Sequence, residues 1–345
     1  MRIRGKYIAV AVLAGAVRAG APATAAAAEG CQWTAATLPV PGGYRLNSMG
    51  AGDGAGAVAG TLQPQPQPSG EPVVGVVWQG DGVRVLGAAF GLDTELNDVN
   101  ASGVAVGSYR ERRPGAEFPV NHAVRHTGGH FERLPDPPGY TNTKALAINA
   151  RGDILGAVGE TEANGVNNTV VWPADAPGTE QVLDPSPLWQ VQGGINDDGT
   201  VAAAVFDWST GGHLAGYVLP WGGSAVRMAS PVASGDVIPA AVTTRRIAGT
   251  AGYDGAFLWH LDGSVDRALP ELRTVAAMNT AGAIVGEAGD GSTLFLPPDG
   301  GPAQTVAPAG QHGRVREVAE NGDVFGSATV YSPDPATAAV RWRCG

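Results

Sequence analysis

The chain has 345 residues, among them 52 glycines and 26 prolines, with 16 % charged side chains and a formal net charge of −10 at neutral pH. An acidic balance of this kind argues against nucleic acid and anionic membrane as partners, since both carry the same sign. The glycine and proline content and the short apolar runs, each bounded by Gly, Pro, Asn or Asp, exclude a helical bundle and indicate many short strands joined by tight turns.

Residues 1–28 read as a secretory signal. Arg2, Arg4 and Lys6 precede the apolar run "YIAVAVLAGAV", and small residues suited to cleavage follow it. That run is too short to span a bilayer, and no other stretch approaches transmembrane length. Residues 29–345 are therefore expected to form one exported domain. Losing the signal with its four basic side chains moves the charge to about −14 and leaves Lys144 as the sole lysine. Cys31 is a poor lipid anchor, because Glu29 in "AEGC" stands where lipid attachment wants a small residue.

The heptad "LPVPGGY" (38–44) returns as "LPDPPGY" (134–140), and the alignment continues without gaps to Gly60 and Gly156. The shared tail has the form apolar-Asn-x-x-Gly-x-apolar-apolar-Gly. It recurs as "VNASGVAVG" ending at Gly107, "INARGDILG" at Gly156, "INDDGTVAA" at Ala203 and "MNTAGAIVG" at Gly286. Weaker copies are "GDGAGAVAG" at Gly60, with Asp53 in the Asn position, and "VAENGDVFG" at Gly326, with Ala319 there; "AVTTRRIAG" at Gly249 keeps only the end. Seven units at a spacing of about 45 residues match the blade period of a β-propeller. The chemistry agrees. Asn can accept its own backbone amide two residues on, and Gly three residues later takes a left-handed conformation at little steric cost. Each motif is thus a hairpin between the first and second strands of a blade.

The second half of each unit reads as strand, turn, strand: "VVWQGDGVRVL" (76–86), "HAVRHTGGHFERLP" (122–135), "TVVWPADAPGTEQVL" (169–183) and "AFLWHLDGSVDRALP" (256–270). Trp78, Trp172 and Trp259 share one position at the end of the third strand, with His126 in the second unit, and are expected to pack between blades. The combination of "IN-x-x-G-x-φ-φ-G", in which φ is an apolar residue, with "AFLW", a Gly turn and a closing Leu resembles the extracellular HAF-repeat proteins. The tripeptides nearest the family's namesake His-Ala-Phe are His122-Ala123-Val124 and Gly255-Ala256-Phe257. The resemblance covers most of residues 45–345. It implies an exported β-propeller-like protein and brings no catalytic residues with it.

The ring is expected to close with a strand from the front of the chain. "WTAATL" (33–38) precedes "LPVPGGY" as "HFERL" precedes "LPDPPGY", yet no inner strands come before it. The seventh unit ends at "AAVRWRCG", where its outer strand should begin. Residues 31–38 then complete the last blade. The same alignment puts Cys31 and Cys344, the only cysteines, in one turn, and a Cys31–Cys344 disulfide is predicted for an oxidising compartment.

The sequence carries no nucleophile elbow, zincin helix, P-loop or dinucleotide fingerprint, and no catalytic residue, cofactor or metal ligand is assigned. "GAGDGAGAVAG" is followed by a strand pattern and lacks the helix N-terminus of a phosphate loop. His122, His126 and His130 form no complete metal set: the first two lie about 13 Å apart along a strand, and no third ligand accompanies the other pair. Asn100 and Asn167 lie in glycosylation sequons. Connections between second and third strands are long in the first four units and short in the fifth and sixth. Tyr109, Arg110, Arg112, Phe118 and Trp208 on the long ones are the expected ligand contacts. The expected function is that of a secreted, monomeric binding or scaffold protein whose partner is an extracellular polymer or protein. The alternatives are a secreted carbohydrate-active hydrolase or lyase, and an inhibitor of an exported protein.

Overall fold

Hairpin turns at even intervals along the chain fold it into a ring of blades. The computed structural model describes residues 31–66, 70–115, 117–160, 168–176, 178–183, 193–207, 213–233, 235–252, 255–308, 313–331 and 335–345. Among these, the strands form seven four-stranded antiparallel sheets, a seven-bladed β-propeller. The inner strands, in ring order, are Tyr44–Gly52, Thr94–Val99, Asn142–Ile148, Gly193–Ile195, Val237–Val242, Thr274–Met278 and Gly313–Val318. The last lies beside the first again. The expected signal segment, Asn167 and Trp208 lie outside the described residues.

The fifth unit, whose motif is nearly erased, still makes a full blade. Thr243 takes the place of Asn there, and its Oγ1 accepts the amides of Arg245 and Arg246 at 3.3 and 3.1 Å. A hydroxyl thus supplies the local acceptor that the turn requires.

Closure follows the expected plan. Trp33–Thr37 pairs antiparallel with Pro335–Cys344, from Trp33 opposite Cys344 to Thr37 opposite Val340. Leu38 N–H donates to Ala339 O at 2.8 Å, as Leu134 N–H donates to Ala123 O at 2.9 Å in the second blade. Cys31 and Cys344 form a disulfide with their Cα atoms 5.5 Å apart. Arg341, 8 % exposed, reaches from the last blade to the first, donating to Asp81 Oδ1 at 2.7 Å and Gly80 O at 3.3 Å.

The repeated heptad is the link from one blade's outer strand to the next blade's inner strand, and the tryptophans read it. The indole N–H of Trp78 donates to Pro39 O at 2.7 Å and that of Trp172 to Pro135 O at 2.8 Å. Trp259 does the same to Ala229 O at 2.8 Å. All three rings are buried, so they staple blades together.

The motif asparagines have a second role beyond the turn. In the second blade, Asn100 Oδ1 accepts the amides of Ser102 and Val104 at 3.1 Å, and Gly103 takes φ +75°. Its Nδ2 meanwhile donates to Asn149 O in the next blade at 3.1 Å. Asn149 donates to Asn196 O at 2.8 Å, Asn196 to Thr243 O at 3.0 Å, and Asn279 to Ala319 O at 2.9 Å. The turns are thereby tied to one another around one end of the ring. Asn149→Ala should lower the unfolding free energy by about 1–3 kcal/mol, because it strands buried backbone groups in two blades. Urea denaturation checks this, and an unchanged midpoint would contradict the inter-blade role.

Candidate functional site

The centre of the ring is shaped by a β-bulge. Register shifts interrupt the inner strands between Leu96 and Asp98, Ala145 and Ala147, Pro239 and Ala241, Val275 and Ala277, and Val315 and Glu317. In the first blade the shift falls between Met49 and Gly52. The closing glycine of each motif sits opposite: a Cβ at Gly107 would come within 1.9 Å of Glu95 O, so only glycine lets the bulged strand approach. Where the fourth blade has Ala203 instead, the inner strand supplies Gly193 at φ +130°.

A cavity of about 1130 Å³ occupies the channel, lined by the inner strand of every blade. It extends along the second and third strands of the sixth and seventh blades, at Glu287, Ser327 and Thr337, and to Asp290 in the sixth blade's connection between them. A smaller chamber of about 270 Å³ lies at the opposite end, among the asparagine turns.

Two positions per blade, three and two residues before the turn residue, line these spaces. The first of them is Gly50, Asn97, Leu146, Gly193, Ala240, Ala276 and Arg316 around the ring. The second is Ala51, Asp98, Ala147, Gly194, Ala241, Ala277 and Glu317. Both are small or apolar in five blades and polar only in the second and seventh, which flank the first. Glu95 and Arg314 extend the polar wall from the same two strands. At these positions the channel is therefore two-sided, with polar and charged side chains flanking the first blade and small or apolar ones in the third to sixth blades.

Asp98 and Glu317 hold equivalent places and make equivalent bonds. Asp98, 6 % exposed, accepts Val99 N–H at 2.8 Å and, from the next blade, Ile148 N–H at 2.9 Å. Glu317 Oε2 accepts Gly52 N–H of its next blade at 3.3 Å. Burial pushes the Asp98 carboxyl up to about 8, against the pull of the Ile148 and Val99 amides, and the nearby Asp53 adds to the rise. Burial and then the proximity of Asp98 hold Glu317 well above the usual carboxylate range, the Gly52 amide opposing. Burial thus shifts the Asp98 carboxyl toward its neutral form. The guanidinium groups of Arg314 and Arg316 are exposed to the channel and pair with no acid among the described residues.

The loop residues singled out in the sequence are distributed differently. Tyr109 is 6 % exposed and packs edge-on against Phe90 at 5.1 Å and beside His122 at 5.0 Å, so its ring belongs to the blade core. Arg110 and Arg112 are exposed, and Phe118 is 49 % exposed. None of the four lines the channel. His122 and His126 are buried, and burial lowers both below the ordinary imidazole value. His122 Nε2 meets Glu111 at 3.0 Å, while the exposed His130 meets Glu132 at 3.0 Å. The three histidines are therefore not brought together. The channel charges were missed in the sequence; the signal was there, as polar pairs (Asn97-Asp98, Arg316-Glu317) in a place where the other repeats carry small residues.

Neither a protein-family model nor the sequence of a curated protein matches the chain. Its fold is similar to that of a catalytically inactive virginiamycin B lyase from Staphylococcus aureus solved with quinupristin. That likeness has a TM-score of 0.58 at 12 % identity and covers 91 % of this chain and 100 % of the lyase. It is similar also to YCF48 bound to D1 peptide, with a TM-score of 0.51 at 11 % identity over 90 % of this chain and 96 % of that one. At such identities the likeness establishes the propeller fold.

Proposed function

We propose that residues 29–345 act, after export and removal of residues 1–28, as a monomeric β-propeller of the HAF-repeat type that binds an extracellular ligand. The ligand enters the channel from the face of the second-to-third strand connections, over the short connections of the fifth and sixth blades. The observation that carries this reading is that, among the inner strands lining a wide channel, only two put charged side chains into its lining, and these two depart from the repeat. Charges that neither pair nor stabilise the fold are where a binding site is to be sought. Arg110, Arg112 and Phe118 extend the contact at the rim, and Tyr109 supports them from below. Export is supported by the signal-like leader and by the disulfide.

The test is a screen of glycans and cell-wall polymers against the purified protein, scored for retention and for product release. Retention without turnover, weakened by Arg314→Gln or Arg316→Gln, is the expected result. A failure to retain any carbohydrate would remove the polymer as partner.

One observation favours catalysis as a second reading. Asp98 and Glu317 are acids with raised pKa on either side of the first blade, a pattern found where carboxyl groups serve as proton donors. Against it, both Asp98 oxygens are occupied by backbone amides. Product release that disappears in Glu317→Gln would establish this reading in place of the first.

A further inference from the structure

We infer that Arg314 and Arg316 form an oxyanion subsite, and that the channel takes a small amphipathic organic anion whose carboxylate or sulfonate they hold. The inference deepens the binding reading and rests on it. Both residues come from the innermost strand of the seventh blade, and both line the wide cavity. Neither has an ion-pair partner among the described residues, whereas the arginines of the last blade's third strand, Arg341 and Arg343, are committed to Asp81 and Asp323. Of the acids lining the same cavity, Glu287 is engaged by Arg273 and Asp290 accepts the Ser292 amide at 2.8 Å. Glu95, on the far side of the first blade, and Asp290 are the carboxylates of that lining without an ion-pair partner among the described residues. Glu317, next in sequence, is held toward its neutral form by burial, so it offers the guanidiniums little counter-charge.

Two guanidiniums two residues apart on one strand, both lining the cavity and unpaired among the described residues, offer N–H donors of the kind that hold a planar oxyanion. They are the cationic side chains among the residues lining the cavity, which also include the carboxylates Glu95, Glu287 and Asp290, so the attraction they offer an anion is short-range and local to the pair. The rest of the ligand is specified by the opposite wall, where Leu146, Gly193, Ala240 and Ala276 face the cavity. Those side chains carry no hydrogen-bonding group of their own and give an apolar body a surface to cover. The volume of about 1130 Å³ admits a molecule of several fused or linked rings.

The probes are 8-anilinonaphthalene-1-sulfonate and N-phenyl-1-naphthylamine, which share the aromatic body and differ in the sulfonate. The native protein should bind the sulfonate saturably at one site, more weakly as salt rises. Arg314→Gln and Arg316→Gln should each weaken it about tenfold, as expected for loss of one charge-assisted contact, with the uncharged amine changed less than about twofold. Circular dichroism and melting verify that the variants fold; both side chains are exposed, so folding should be retained. Leu146→Asp should weaken both probes. No saturable sulfonate binding, unchanged sulfonate affinity in both arginine variants, or equal loss of both probes there would each overturn the assignment. A negative polymer screen with selective sulfonate binding would remove the polymer alone, whereas polymer retention with no sulfonate selectivity would remove this subsite alone.

Discussion

Replacing Cys344 with serine should lower the unfolding free energy by several kcal/mol, and removing residues 31–38 should cost still more. The disulfide joins residues 313 apart in sequence, and closing so long a loop in the unfolded chain gives an upper figure on the order of 5 kcal/mol. The truncation removes further contributions. It takes away the five-residue pairing of Trp33–Thr37 with the last blade, the tilted packing of Trp33 against Phe295 at 5.3 Å, and the buried Leu38. It also cuts the chain immediately before Pro39, whose carbonyl accepts the buried Trp78 indole N–H, and exposes Pro335–Cys344 as a sheet edge open to pairing with other chains. Urea titrations with and without reductant should show a lower midpoint for the reduced protein, matching Cys344→Ser and the Cys31/Cys344 double variant. Size-exclusion chromatography of the truncated protein should show aggregation. If reduction left the urea midpoint where it was, the clasp would have no energetic role.

A second large effect is a fall in stability as pH rises toward 8. Asp98 has its folded-state value raised from 3.8 to about 8, and Glu317 is raised as well. The folded protein therefore keeps protons that the unfolded chain has already released. The associated stability is fully present below the ordinary carboxylate values and is lost as pH climbs through the folded ones, at up to about 1.4 kcal/mol per pH unit for each group. His122 and His126 act in the opposite sense. Burial lowers both, so the folded protein gains stability as pH rises through the ordinary imidazole value near 6.5. The interval from about pH 7 to 8 isolates the carboxyls. Melting temperature should decline across it in the native protein, and less steeply in Asp98→Asn or Glu317→Gln. A native melting temperature that is flat or rising there would show that these acids are ionised in the fold.

Much of the architecture was legible because it rests on local chemistry repeated along the chain. Asn followed three residues on by Gly specifies a hairpin wherever it occurs, and the turn glycines of the second, third, fourth, sixth and seventh blades all take the expected positive φ. The two heptads and the two cysteines carried the closure, since an outer strand without inner partners at the front answers a blade without its outer strand at the end. The loss of Asn in the fifth unit obscured its turn, which a threonine hydroxyl rebuilt.

The sequence by itself thus determined the blade number, the strand order and the closing clasp, because each depends on residues near one another or on a count. The site was decided by tertiary structure. Alternation along a strand sends neighbouring side chains to opposite faces, so Arg316-Glu317 and Asn97-Asp98 read as one inward and one outward residue each. The bulge cancels that alternation and turns both members toward the axis. Only the ring then makes the second and seventh blades common neighbours of the first, gathering residues more than two hundred positions apart into one charged wall. The same packing buries Tyr109, which its loop-end position had marked for solvent, because Phe90 from the preceding inter-blade connection covers it.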